Sequence, residues 1–235
     1  MAFVLTPWQP PPSRPELSDH SLHLWRFPLT CHESFEQFLD EHELQTAKRL
    51  LVPAKARAFI TARARLRQIL GLYLDLDPQS LHFNYGASGK PVLAGASSDD
   101  LSFNLAHSVE WGLCAVTRGV AVGVDIEKLD RQLDYAKLAA GFFSVCEKNW
   151  LQASSNHRRR RHFFRIWTRK EAWLKGKGGG FSDPDQDIGL AHLQGCCTHD
   201  GTWWLRNFSV SRHYIAALAV PQEFSLVQRW DAWRN

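Results

Sequence analysis

Arg165-Ile-Trp-Thr-Arg-Lys-Glu-Ala-Trp-Leu-Lys-Gly-Lys-Gly-Gly-Gly-Phe181 is the stretch whose reading decides the rest of the chain. It has the pattern of the last three turns of a helix running into a glycine stop. Ile166, Trp167, Ala172 and Leu174 supply apolar positions. Gly176 with Gly178 to Gly180 ends the pattern, as glycines past a helix C-terminus do. Glu171 and Lys175 are four apart, so they project from one helical face. By themselves they make a surface ion pair worth roughly 0.3–0.5 kcal/mol.

Upstream the chain reads Val120-Ala-Val-Gly-Val-Asp-Ile-Glu-Lys128. Apolar residues run up to Val124, and Asp125 and Glu127 then flank Ile126. As a strand, with its period of two, this segment puts both carboxylates on one face and Ile126 on the other. Two adjacent acids repel each other unless a cation lies between them, which makes a hard metal ion a natural occupant. A solvated strand end is the plain alternative.

Taken together, Gly123-Val-Asp-Ile-Glu127 and Trp167-Thr-Arg-Lys-Glu-Ala-Trp-Leu-Lys175 with its glycine exit resemble the signature pair of the 4'-phosphopantetheinyl transferases. Two further segments appear in that family's order, Gly89-Lys90-Pro91 and Phe103-Asn104-Leu105-Ala106-His107-Ser108. The resemblance covers residues 45 to 181, and the length is similar to the larger, surfactin-type branch. It implies transfer of the phosphopantetheine arm of coenzyme A to a serine of an apo acyl or peptidyl carrier protein, with Mg2+ as cofactor and adenosine 3',5'-bisphosphate as by-product. It also implies an α/β (α+β) fold of two similar halves, 1–118 and 119–235, related by a pseudo-twofold, with the cofactor in the cleft between them. The protein is then a monomer.

The same resemblance assigns roles. Asp125, Glu127 and Glu171 match the metal ligands, with Asp125 and Glu171 ranked ahead of Glu127. The base for the incoming serine is left open between Glu171, Glu127 and a metal-bound water. Lys175 neutralises or protonates the departing phosphate. Ser88, Gly89, Lys90 and Pro91 lie along the nucleotide end of coenzyme A, and Asn104 and His107 belong to the segment that contacts its phosphates. The 3'-phosphate falls to Lys48 first, then Arg49 or Arg63. One departure stands out: Ala106 occupies the place where the family usually has serine, so a hydroxyl contact is lost there.

Composition bounds the alternatives. The chain has 235 residues, 44% of them hydrophobic and 22% charged, with ten tryptophans, a globular balance able to fill a large core. The net charge of +4 attracts acidic partners but is too small to imply nucleic acid. The five cysteines are odd in number and lack C-x-x-C spacing, which fits a reducing cytoplasm. Nothing approaches 18 consecutive apolar residues, so no membrane span is expected. A basic nucleic-acid-binding module and a coenzyme A or carrier-binding relative without transfer activity remain as rival readings.

Along the chain, the prolines of residues 7 to 15 predict an extended, irregular arm. Strands are expected at Ser21 to Leu29, Leu81 to Tyr85, Pro91 to Ala94 and Trp111 to Val116. Helices are expected at Phe35 to Leu51 and Ala54 to Leu74, the second with Lys55, Arg57, Arg63, Arg65 and Arg67 on a basic outer face. Leu133 to Ala140 reads as a short helix, and Phe142-Phe143-Ser144 with Glu147 resembles the transferase family's Phe-Phe-Ser-x-x-Glu turn into another helix. Arg158 to Arg161 sit at the start of the signature helix, where cations oppose the macrodipole; they are solvated or dock an acidic partner. Lys170 is a second phosphate contact or a solvated neighbour. Strands at Ile188 to Leu193, Thr202 to Phe208, Tyr214 to Val220 and Leu226 to Trp230 complete the reading.

Overall fold

A computed structural model of the chain describes residues 4–19, 21–30, 33–86, 89–95, 101–130, 132–179 and 202–233. It is a mixed α/β protein that divides into two compact units, Phe3–Gly119 together with Phe224–Asn235, and Val120–Glu223. The boundary at Gly119 lies one residue from the expected seam. The stretch from Phe224 onward, however, returns to the first unit, so a cut into contiguous halves misassigns it.

The first unit is built on a five-stranded sheet. Its strands are β1 (Val4–Gln9), β2 (Ser21–Pro28), β5 (Leu101–Ser108), β6 (Trp111–Arg118) and β10 (Leu226–Asp231), in the order β1-β10-β2-β6-β5. β10 runs parallel to both β1 and β2, while β2, β6 and β5 are antiparallel. The expected irregular arm is thus partly an edge strand. Its register slips between Leu5 and Trp8, a place that accommodates Pro7, which has no N–H to give a ladder. β3 (Phe83–Tyr85) and β4 (Pro91–Leu93) form a separate small hairpin.

Helix α1 (Glu41–Lys48) is shorter than the expected Phe35 to Leu51. Asp40 explains this: its side chain accepts from Glu43 N at 2.8 Å while Glu43 Oε2 accepts from Asp40 N at 3.1 Å. That capping box starts a new helix at Glu41 and leaves Glu36–Phe38 as a 3-10 turn. Helix α2 (Pro53–Leu74) starts one residue before the expected Ala54, with Pro53 in its first turn, where the missing N–H leaves no helical bond unmade. Its Ala62, Leu66, Ile69 and Leu70 pack on Trp25, Phe27, Phe103, Cys114 and Val116 of the sheet. Each fully buried large side chain in such a core contributes roughly 1.5–3 kcal/mol.

The second unit has the antiparallel sheet β7 (Gly123–Lys128), β9 (Tyr214–Val220) and β8 (Trp204–Ser211), in that spatial order. Helices α3 (Tyr135–Phe142) and α4 (Val145–Ala153) precede the long α5 (Asn156–Lys177). Phe163, Phe164, Ile166, Ala172 and Trp173 of α5 pack with Ile215, Ala217 and Ala219 of β9, and the two alanines let the helix lie close. The expected turn at Ser144 does lead into α4, and the structure adds that Ser144 caps it in a reciprocal box with Glu147. The expected strand at Ile188 to Leu193 lies outside the described residues.

Candidate active site

Strand β7 owes its place to a side chain it lacks. Gly123, Asp125 and Glu127 share one face by strand alternation, and Gly123 lies directly on α5. A Cβ at Gly123 would stand 1.8 Å from Ala172 O and 2.5 Å from Gly176 N, so no larger residue fits. This close approach sets Asp125, two residues further on, against the last turns of α5. Gly176 works from the other side: a Cβ there would meet the Trp203 ring at 2.6 Å. Gly176 is therefore a packing residue inside the helix, not part of its stop. The stop is Gly178, at φ 79°, where the Gly178 and Gly179 amides return to the Lys175 and Leu174 carbonyls.

Lys175 Nζ lies 2.6 Å from Asp125 Oδ1 and 3.7 Å from Glu171 Oε2. The Asp125 side chain is 5% exposed, whereas Glu171 and Lys175 are 22% and 31% exposed, so the first acid forms the floor and the others the rim. Asp125 Oδ2 is buried and, among the described residues, has no hydrogen-bond partner. Burial pushes the Asp125 carboxyl up to about 7, against the attraction of Lys175 and with the repulsion of Glu127 and Glu171. Burial also works to lower Lys175, but Asp125, Glu171 and Glu127 outweigh it and the ammonium is held above its ordinary range. The two shifts differ in origin: burial leads the rise at Asp125, with Glu127 and Glu171 adding to it, whereas at Lys175 the neighbouring acids outweigh burial.

That donor set fits a hard divalent cation. It offers carboxylate oxygens, one of them buried and unsatisfied, in a site with excess negative charge. It is an open set and not a finished cage, since among the described residues no three His, Cys, Asp or Glu side chains are gathered to hold a metal ion. The Lys175 ammonium meets Asp125 and Glu171 instead.

The remaining expected site residues belong to the first unit. Lys48 is exposed at the last position of α1, with Arg49 as its C-cap. Gly89, at φ 74°, and Lys90 lead into β4, which begins at Pro91; burial pulls the Lys90 ammonium below its ordinary range. Asn104 is buried and His107 exposed on β5, and Ala106 is buried between them. Ser88 lies outside the described residues. A cavity of about 910 Å³ in the same unit, lined by Phe35, Arg57, Ile60, Thr61 and Val109 among others, contains none of these residues. The structure thus brings Asp125 and Glu171 each onto Lys175, keeps Glu127 on the same strand as Asp125, and distributes Lys48, Gly89, Lys90, Pro91, Asn104 and His107 over α1, the approach to β4, and β5.

Two expectations fail here for the same reason. Lys170 does not face solvent: it is 3% exposed, and its ammonium is taken up by Glu147, with Nζ 2.9 Å from Oε2. Arg63, Arg65 and Arg67 are buried instead of forming a solvated face on α2. In each case acids or aromatic rings from other elements receive the cation, a circumstance invisible to helical periodicity. The role of Gly123 was also missed; its signal is a glycine two places before the first acid.

A family model described as the 4'-phosphopantetheinyl transferase superfamily matches residues 121–222, nearly the whole of the unit that carries Asp125, Glu171 and Lys175. The chain is similar to the 4'-phosphopantetheinyl transferase HetI of a Nostoc species, 35% identical over 220 residues, which are 91% of this chain and 93% of that one. It is also similar to the 4'-phosphopantetheinyl transferase Sfp of Bacillus subtilis, 28% identical over 154 residues, 65% of this chain and 66% of the other. Gsp of Aneurinibacillus migulanus, another 4'-phosphopantetheinyl transferase, is 34% identical over 119 residues, 51% and 47% of the two chains.

Proposed function

Because the chain belongs to the 4'-phosphopantetheinyl transferase superfamily, we propose that it moves the 4'-phosphopantetheine arm of coenzyme A onto a serine of an apo acyl or peptidyl carrier protein. The observation that supports this most is the β7–α5 cluster, with its surplus of negative charge and the unsatisfied Asp125 Oδ2.

In this reading the serine hydroxyl attacks the phosphorus on the pantetheine side of the pyrophosphate. The bond from that phosphorus to the bridging oxygen breaks, and adenosine 3',5'-bisphosphate leaves with its electrons. Such a reaction needs positioning and charge neutralisation more than covalent chemistry. Glu171, on the partly exposed rim, is suited to take the serine proton, with Glu127 as the other acid in reach of the same strand face. Lys175, one helical turn from Glu171, offers its ammonium to the departing phosphate. Asp125, Glu127 and Glu171 would hold Mg2+, which when bound supplies positive charge to the pyrophosphate oxygens. Lys48, Lys90 and His107 supply cationic or hydrogen-bonding contacts for the nucleotide, with Ser88, Gly89, Pro91 and Asn104 shaping its seat.

We assign this activity to a monomer in the cytosol. Among the described residues no helix is long and apolar enough to cross a membrane. Incubation with coenzyme A, Mg2+ and an apo-carrier tests the reading: the carrier should gain one phosphopantetheine by intact mass. No gain with fatty-acid, polyketide and peptide-synthetase carriers would overturn it, and retained coenzyme A binding in that case would mark a binding relative.

A further inference from the structure

The first unit contains a buried chain of charges that ends at a loop. Glu43 on α1 is fully buried; its Oε1 lies 2.8 Å from Arg63 Nε and its Oε2 2.7 Å from Arg67 Nη2. Arg63 then passes the connection outward, donating from Nη2 to the Tyr85 hydroxyl at 2.6 Å. The Tyr85 ring is also packed against His42 of α1, with centroids 4.3 Å apart. Tyr85 is the last residue of β3 and faces Pro91 across the hairpin. The next residue, Gly86, donates its amide to the carbonyl of Lys90 at 3.2 Å.

We propose that Tyr85, held by Arg63, is a positioning residue that fixes Lys90, and that Arg63 is not a phosphate ligand. This rests on the transferase reading given above. The guanidinium of Arg63 joins a buried carboxylate on α1 to a hydroxyl on the hairpin, and a charge-assisted bond of this length is both strong and directional. Its carboxylate partner cannot release it cheaply, because a buried acid without its cation is costly. The hairpin therefore cannot drift relative to α1, and the Lys90 backbone is tied one residue beyond the clamp. A backbone held in place before an anion arrives leaves less to be ordered on binding, which lowers its cost.

The test is a double-mutant cycle on the full-length protein, measuring kcat, the KM for coenzyme A and the KM for the carrier. Tyr85→Phe removes the hydroxyl and keeps the ring. It should raise the KM for coenzyme A about two- to tenfold, the range of one hydrogen bond, with kcat and the carrier KM unchanged. Arg63→Lys, which cannot reach Glu43 and Tyr85 together, should act alike and is less disruptive than Arg63→Ala. In a Lys90→Ala background both effects should disappear, since there is no ammonium left to position. An unchanged KM in Tyr85→Phe overturns the proposal while the active parent keeps the transferase reading intact. Arg63→Lys raising KM in the Lys90→Ala background, with Tyr85→Phe silent, makes Arg63 a direct ligand and also overturns it. A parent protein that transfers nothing removes the transferase reading itself.

Discussion

Two clusters of acids and bases are built from similar parts in the two units, and they do opposite things. Asp40, Glu43, Arg63 and Arg67 balance two acids with two cations. Arg67 is fully buried yet fully used: it donates to Glu43, to Asp40, and to the carbonyls of Pro78 and Leu81. Asp125, Glu127, Glu171 and Lys175 set three acids against one cation and leave a buried oxygen without a partner among the described residues. Balance makes a strut, and a deficit makes a site. A cluster whose buried acids and cations match in number resists change, whereas one that lacks positive charge gains by admitting a ligand that brings it.

The comparison breaks first at Arg67. Arg67→Ala leaves Glu43 buried with a lost partner and should cost about 3–5 kcal/mol of stability, read by denaturant unfolding. A loss under about 1 kcal/mol would show that the cluster is not structural. Asp125→Ala and Glu171→Gln should behave in the opposite way, lowering turnover about a hundredfold or more while the unfolding midpoint stays or rises. A chelator should reproduce that loss reversibly. If Asp125→Ala unfolds the protein and turnover per folded molecule is normal, the contrast is inverted.

How much of this could be read from the chain alone follows from the range of the interactions. β7 and α5 were legible because alternation and the four-residue spacing of Glu171 and Lys175 are local. The turn at Ser144 into α4 was legible for the same reason. Arg67 and Lys170 were not, because their acids lie 24 and 23 residues away and are brought to them only by packing. Helical periodicity places both cations on a helix face but says nothing about what covers it. Gly176 was misread because a glycine near a helix end usually is the end; here Trp203 and β7 need its missing side chain. The return of β10 to the first sheet lay beyond any local pattern.

A third buried polar group, held only by neutral partners, sharpens the rule at smaller magnitude. His23 Nδ1 is 2.7 Å from the Tyr73 hydroxyl, which itself accepts from Trp25 Nε1 at 2.8 Å. Burial lowers the pKa of the ring to about 4, against a hydrogen bond to Gln228 that raises it, so the ring is neutral near pH 7. The unfolded chain takes up a proton near 6.5 and the folded one only near 4, so the stabilisation present above pH 6.5 is lost as pH falls through about 4. We expect a loss of roughly 1–3 kcal/mol over this window, with His23→Asn showing a shallower decline in Tm. Equal slopes would mean that His23 does not titrate with unfolding.

The smallest effect is expected where charge is exposed on both sides. Arg158 and Arg161 are exposed in the first turns of α5, whereas Arg159 donates to the Gln152 and Ser154 carbonyls. Replacing Arg158 and Arg161 by serine should raise the KM for an acidic carrier about two- to fivefold at low salt, with the coenzyme A value unchanged. Salt should erase the difference, since the Debye length is only about 8 Å at physiological ionic strength. Identical carrier KM values at low salt would remove these arginines from docking.

The position of β10 has a consequence for how the protein is made. It lies between β1 and β2, so the first sheet cannot close until the ribosome has also delivered all of Val120–Glu223. At about 5–20 residues per second that interval lasts roughly 5–20 s. During it β2 presents an open edge, and β1 has no neighbour to pair with. The second unit, contiguous in sequence, is free to fold in the meantime. The second unit can thus be complete before the first sheet is, although its chain is made later.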